Sequence, residues 1–162
     1  MNKVFLILLL ASIYARGSGD PVNASLAVSG MFAQGYSFHL TVTDNGASVL
    51  TVERPKGRVQ KSFQVPSARL NELRELLLHE HFFELDSSYG DIVPDGGTTT
   101  ITTSLGSETK TIKLHFLRHE DPKLPEIRRA VRVSIFLRGL FKDADAVDLR
   151  RYDEMMLNNP PA

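Results

Sequence analysis

Alternation of apolar and polar residues predicts a meander of three strands in the first half of the chain. Every second residue from Tyr36 to Val42 is apolar and its neighbours are polar, which is typical of a half-buried strand. Asp44–Gly46 then supplies residues that tolerate the positive φ angles of a hairpin turn. A return strand over Ala47–Glu53, a turn at Arg54–Gly57 and a further alternating segment that ends at Val65 complete the predicted meander.

A helical period follows the meander, and a second hairpin comes after it. The helix is expected to start at Ala68 with Ser67 as its N-cap, and its leucines at positions 70, 73 and 77 would face the sheet. Further along, alternating segments around Ile101 and Ile112 are separated by the turn residues Gly106-Ser107. These segments predict the second hairpin.

The longest predicted helix, from about Glu126 to Phe141, carries two apolar stripes. The main stripe consists of Leu124, Ile127, Val131 and Ile135, and the second, nearly opposite, consists of Val133, Phe136 and Leu140. A helix with two apolar stripes needs two surfaces to cover it. The nearest cover for the second stripe is the tail Asp145–Leu157, which we favour, and the alternative is another protein.

These elements run in the order β-β-β-α-β-β-α and are followed by a tail helix. Strands in consecutive hairpins with helices between them predict the α+β class, with an antiparallel sheet of about five strands and two packed helices. The predicted organisation is a signal peptide at residues 1–17, a loose leader at 18–34 with a short strand in Ser25–Ala33, an α+β domain at 35–142 and a helical tail at 143–162.

The first residues have the anatomy of a secretory signal peptide. Lys3 gives a mildly positive start, Val4–Ile13 is apolar apart from one serine, and Ala15–Gly17 places small residues at the −3 and −1 positions of a cleavage site. The apolar run has about half of the roughly 20 residues that a membrane-spanning helix needs. We therefore expect export to the periplasm or the medium, without a stable membrane anchor, rather than a buried N-terminal element.

Charge and cysteine content narrow the classes of function. The chain has 19 basic and 19 acidic residues, and cleavage after Gly17 would remove Lys3 and Arg16, which leaves a net charge of −2. A nearly neutral chain has no general attraction for nucleic acid, so we expect no nucleic-acid partner. The chain contains no cysteine, which excludes disulfides, thiol nucleophiles and thiolate metal sites. Burial of the core must therefore stabilise the fold.

The stretch His79–Gly97 concentrates histidines and carboxylates and is the first place to look for chemistry. If the preceding helix continues to His81, the side chains of His79 and His81 point about 200° apart and do not bind one ion together. We expect His81 at the edge of the core and His79 in solvent near the helix C-terminus, where a protonated ring is favourable. The apolar residues that follow are expected to close the end of the core: Phe82, Phe83 and Leu85.

Asp91, Asp95 and His119 are the residues that we weigh for metal binding or acid–base catalysis, with His81 as a further ligand. The segment from Asp91 to Gly96 matches the start of a calcium loop, but the third and twelfth positions hold Val93 and Thr102 instead of the required ligands. His119 pairs with Asp91 or Asp95 only if two loops meet at one end of the sheet. Solvated turns are the alternative, which we favour, and we predict no cofactor.

Other motifs of enzymes are missing from the sequence. No G-x-S-x-G elbow, phosphate-binding loop or G-x-G-x-x-G fingerprint occurs. Arg128, Arg129 and Arg132 cluster on the last predicted helix. We expect them to form a solvated basic face, with an anion-binding or partner surface as the alternative.

Three segments resemble a family of small exported bacterial domains of unknown function. They are "YSFHLTVTDNG", "HFFELDSSYGDIVPDGGTTTITT" and the proline-flanked "DPKLPEI", and the resemblance covers roughly Tyr36 to Leu140. It implies an exported α+β domain and carries no catalytic residues to transfer. Many members of that family have cysteines near the first strand and a lipid-attachment cysteine, and this chain has neither.

We therefore expect an exported, non-enzymatic domain that binds another envelope or extracellular protein. Its surface would be a sheet edge or the stripe of Val133, Phe136 and Leu140. One alternative is a metal-dependent or acid–base hydrolase that uses Asp91, Asp95 and His119. Another is an inhibitor of a secreted enzyme that presents a rigid loop such as Asp44–Gly46.

Overall fold

A computed structural model of the 162-residue chain describes residues 19–31, 36–55, 57–93, 96–115 and 121–141. The predicted signal peptide and the predicted tail helix lie outside these ranges, as do Asp95 and His119. In the ranges that it does cover, no helix is long and apolar enough to cross a membrane. Export remains a prediction from the sequence.

The described residues form one sheet of seven strands, two α-helices and a short 3₁₀ turn. The strands, numbered along the chain, are β1 (Val22–Met31), β2 (Tyr36–Val42), β3 (Ala47–Arg54), β4 (Gly57–Gln64), β5 (Ser88–Tyr89), β6 (Thr98–Leu105) and β7 (Glu108–Leu114). The helices are α1 (Ser67–His79) and α2 (Leu124–Gly139), and the 3₁₀ turn is Phe82–Glu84.

Both hairpin predictions and the α+β class are confirmed. Strands β2, β3 and β4 form the predicted antiparallel meander, and β6 pairs with β7 in the second hairpin. The first turn depends on Gly46, whose φ is 83°. A Cβ atom at Gly46 would lie 2.2 Å from the carbonyl oxygen of Val65, so only glycine fits there.

The number of strands was predicted as about five because the segment before the meander was assigned to a loose leader with only a short strand in Ser25–Ala33. Val22–Met31 instead forms a ten-residue strand in the middle of the sheet, whose order is β4-β3-β2-β1-β6-β7-β5. Strand β1 pairs antiparallel with β2 on one side and with β6 on the other. Val22, Ala24, Leu26 and Val28 alternate with less buried residues, which is the same two-residue period as in β2. The seventh strand is β5, which pairs parallel with β7 over two residues.

One face of the sheet carries the core, and both helices pack against it. The core-facing residues of the four central strands β3, β2, β1 and β6 include Leu50, Leu40, Leu26 and Ile101, none of which is more than 2% exposed. Leu70, Leu73 and Leu77 of α1 point into this core, as their spacing predicted. Phe82 and Leu85 are buried and Phe83 is partly buried, so the predicted apolar closure of the core is confirmed.

Helix α2 is rotated relative to the prediction. Its buried residues are Ile127, Ala130, Val133, Ser134 and Leu137, which form an arc between the two predicted stripes. Ile135, assigned to the main stripe, is 51% exposed. Ala130 and Ser134 are buried although neither is a large apolar residue, so the pattern of large apolar residues does not reveal this face.

We expect the central strand to contribute more stability than the edge. Leu26→Ala removes a fully buried side chain and should lower the free energy of unfolding by about 2–5 kcal/mol. The matched control is Val59→Ala on β4, where the side chain is 43% exposed and the loss should stay below about 1 kcal/mol. Urea denaturation of both variants measures the difference, and equal losses would contradict a central β1.

Candidate functional site

The stretch His79–Gly97 begins at the end of α1 and includes the short strand β5. Helix α1 ends at His79, two residues earlier than an extension to His81 requires, and Glu80 is its C-cap residue. His81 has φ 47° and ψ 46°, which is the left-handed conformation that usually belongs to glycine after a helix. The 3₁₀ turn follows directly, so the chain reverses here within a few residues.

Of the four predicted metal ligands, the structure describes only His81 and Asp91. The side chain of His81 is 61% exposed, rather than at the core edge, because the helix has already ended; its Nδ1 lies 3.2 Å from Glu84 Oε1. Asp91 is also exposed and lies beyond β5. Asp95 and His119 fall outside the described residues, so the structure gives no distance to them. Among the residues that it describes, no three His, Cys, Asp or Glu side chains are arranged to hold a metal ion.

Glu80, which the sequence did not single out, is the carboxylate on which this region is organised. Its side chain is 4% exposed, and Arg132 of α2 donates two hydrogen bonds to it, of 2.7 and 2.5 Å. The hydrogen bonds from Arg132 lower the pKa of Glu80 below its ordinary value, against the effect of burial, which raises it. A two-pronged guanidinium–carboxylate pair fixes both partners in orientation as well as in distance. The pair therefore ties the end of α1 to the middle of α2.

Arg129 completes this connection through the backbone. Its Nε donates to the carbonyl oxygen of Glu80 at 2.6 Å, and its Nη2 donates to that of His81 at 3.2 Å. These carbonyls lie past the last helical turn, where a cation is favourable and an acceptor otherwise needs water. Two of the three arginines predicted to form a solvated basic face thus serve the contact between the helices.

Tyr89 holds the loop after the 3₁₀ turn against the first turn of α2. Its hydroxyl donates to Glu126 Oε2 at 2.8 Å and accepts the backbone N–H of Asp86, also at 2.8 Å. Burial and the hydrogen bond to Glu126 raise the pKa of Tyr89 to about 12. The hydroxyl therefore stays protonated and keeps its donor role at all moderate pH values.

The stripe predicted as an interaction surface lies mostly inside the fold. Val133 is 0% exposed, and Phe136 and Leu140 are half-buried and packed against the core. The Arg69 guanidinium of α1 lies 4.5 Å from the centre of the Phe136 ring, a cation–π contact between the two helices. Val133 is thus unavailable to another protein. The tail that was expected to cover this stripe is outside the described residues.

The sheet edge, the other surface predicted for binding, is formed by β4. Every residue of this eight-residue strand is exposed or half-exposed. The backbone N–H of Val65 donates to Gly46, and hydrogen-bonded pairs alternate along an antiparallel ladder. Val59, Lys61 and Phe63 therefore direct their backbone groups to β3. The alternate residues direct theirs away from the sheet: Arg58, Gln60, Ser62 and Gln64.

The side chains of β4 give this edge a positive charge. The strand contains Arg58 and Lys61 and no acidic residue, although Glu53 of β3 lies opposite Arg58. Lys61 occupies the core-facing row, opposite the buried Leu50, and is half-buried there. An inward-pointing lysine on an edge strand is a known protection against indiscriminate pairing of edges.

We expect the Glu80–Arg132 pair to stabilise the fold in a pH-dependent way. Arg132→Gln leaves the buried carboxylate of Glu80 without its charged partner and should lower the free energy of unfolding at pH 7 by about 1–3 kcal/mol. The half-exposed position of Arg132 keeps the loss within this range. The pKa of Glu80 is lowered in the folded state, so this contribution is complete above about pH 4.5 and is lost as the pH falls through the lowered pKa. Urea denaturation from pH 7 to pH 3 measures it.

The control for that experiment is Arg128→Gln, the same change at an exposed position of α2. It should alter stability by less than about 0.5 kcal/mol at either pH. If the loss of unfolding free energy in Arg132→Gln is as large at pH 3 as at pH 7, Arg132 does not stabilise the fold through the ionised Glu80 carboxylate.

The left-handed residue after α1 gives an opposite pair of effects. His81→Gly should raise the free energy of unfolding by about 0.5–1 kcal/mol, because glycine adopts a positive φ without a steric penalty. His79→Gly, two residues earlier and inside the helix, should lower it by about 0.5–1 kcal/mol. Thermal or urea unfolding compares the two, and a shared sign would refute the strain assigned to His81.

Comparison with protein-family models and with curated protein sequences found no match for this chain. The resemblance to small exported bacterial domains stays a prediction, and the function has to be argued from the surface of the molecule.

Proposed function

We propose that this protein is an exported, non-enzymatic binding domain that recognises an extended, acidic segment of another protein along the edge strand β4. The observation that carries the proposal is the outward row of backbone groups on Arg58, Gln60, Ser62 and Gln64. An extended peptide that adds to a sheet edge gains its affinity from such groups, and the side chains of the edge strand give specificity.

The length and regularity of β4 support this mode of binding. The strand pairs with β3 over all eight of its residues, and the ladder between them contains no bulge. A rigid, extended edge is already in the conformation that a pairing peptide needs, which lowers the conformational cost of binding. At the other edge, β5 has only two residues and offers no comparable template.

Charge determines the kind of segment that we propose. Arg58 and Lys61 make the edge cationic, so acidic side chains on the incoming strand would be attracted to it. Pairing with a second copy of β4 would instead bring four basic side chains together along two short strands without any acidic residue. The same charges therefore favour an acidic partner and oppose self-association.

The test removes one outward N–H from β4. Proline is tolerated on edge strands where its missing N–H faces away from the ladder, so Gln60→Pro should leave the fold intact and block pairing. The matched control is Gln60→Ala, which changes the side chain and keeps the N–H. A phage-displayed library of random linear peptides is selected against the unmodified protein, and the enriched peptides are then measured against both variants.

We expect the enriched peptides to be rich in Asp and Glu, to bind Gln60→Ala nearly as well as the unmodified protein, and to bind Gln60→Pro about tenfold more weakly or worse. Far-UV circular dichroism confirms that both variants fold. The proposal fails if no peptide is enriched, if the enriched peptides carry no acidic bias, or if Gln60→Pro binds them unchanged.

A further inference from the structure

A recessed surface lies beside β5 and β7, at the edge of the sheet opposite β4. It is an open groove of about 620 Å³, lined by Ser87, Ser88, Ile92, Thr109, Lys110, Thr111, Lys113 and His115. The short length of β5 creates it. Because β5 pairs only with Lys113 and Leu114, the earlier part of β7 continues past the end of its neighbour.

The polar side chains of the groove can all donate hydrogen bonds and include two cations. Lys113 lies on the outer row of β7 with Thr109 and Thr111, whereas Lys110 lies on the core-facing row opposite the buried Thr103, and both lysines border the groove. Among the described residues that line the groove, none is acidic. The charge of Lys110 also acts on the carboxylate of Asp86, which is paired with Lys123. His115 is a further nitrogen donor or acceptor, and its Nδ1 lies 3.1 Å from Thr98 Oγ1.

The backbone of β7 adds two N–H donors to the groove, together with the carbonyl oxygens of the same residues. The N–H groups of Lys113 and His115 donate to Ser87 and Tyr89, so the odd-numbered residues of β7 direct their backbone groups toward the β5 side. By the alternation of the ladder, the N–H groups and the carbonyl oxygens of Thr109 and Thr111 point to the same side. There they face the groove, because β5 does not extend beside them.

Ile92 provides the apolar part of the groove. Its side chain is 83% exposed, more than that of any other large apolar residue in the described part of the chain. The groove therefore offers one exposed apolar side chain in addition to its two lysines.

We propose that this groove binds a small organic phosphate, a phosphate monoester with an apolar body. The phosphate group would accept hydrogen bonds from the Lys110 and Lys113 ammonium groups, the threonine hydroxyls and the outward N–H groups of β7, and the apolar body would contact Ile92. A phosphate monoester dianion has three terminal oxygens and two negative charges, which match a set of many donors with two cations better than the two oxygens of a carboxylate do. The site lies at the edge opposite β4 and does not depend on peptide binding there.

The test is a titration of the full mature chain with phenyl phosphate, followed by two-dimensional amide NMR. Benzoate is titrated in parallel as the carboxylate of similar size. We expect saturable shifts of the amide signals of Thr109, Thr111 and Lys113 with phenyl phosphate, and weaker binding of benzoate. Lys113→Gln should weaken phenyl phosphate binding by about tenfold or more. Lys110→Gln is the second variant and should also weaken it.

Lys61→Gln on β4 is the matched control, with the same loss of charge at the distant edge. It should bind phenyl phosphate like the unmodified protein, and the amide spectra show directly that each variant is folded. The proposal is overturned if phenyl phosphate gives no saturable shifts at β7, if benzoate binds equally well, or if Lys61→Gln weakens binding as much as Lys113→Gln does.

Discussion

The structure depends on the position of β1 between two other β units. The meander β2–β4 and the hairpin β6–β7 have no strand pairing with each other, and β1 is the strand that hydrogen-bonds to both. A two-stranded hairpin is at best marginally stable by itself in water. By joining the two units, β1 creates a single wide apolar face, and its own residues Leu26 and Val28 lie at the centre of that face.

A wide face requires a cover, and two helices provide it only if they are held side by side. The apolar contacts of α1 and α2 set their distance from the sheet, and the polar contacts set their relation to each other. Arg132 donates hydrogen bonds to the carboxylate of Glu80, and Arg129 donates to the carbonyl oxygens of Glu80 and His81. Arg69 makes a cation–π contact with the ring of Phe136. These charged residues near the helix ends thus make their contacts within the fold.

The two margins of the sheet differ because their last strands differ in length. Strand β4 continues its ladder over eight residues and leaves a straight row of backbone groups at the edge. Strand β5 pairs over only two residues and leaves a recess beside β7. A straight edge suits an extended chain, whereas a recess with cations suits a small anion. The hydrogen-bonding capacity of a sheet edge is therefore the common basis of the two proposals, peptide binding along β4 and phosphate binding beside β7.

Local elements could be predicted from the sequence. The alternation in Tyr36–Val42, the turn residues up to Gly46 and the leucines of α1 predict the meander, its turn and its helix correctly, because each pattern reflects neighbours along the chain. Other features depend on contacts between distant parts of the chain. Whether Val22–Met31 joins the sheet, which arc of α2 is buried and which arginine meets Glu80 are all decided by residues far apart in the sequence. The proposed binding surfaces belong to this second group, since an edge exists only once the order of the strands is known.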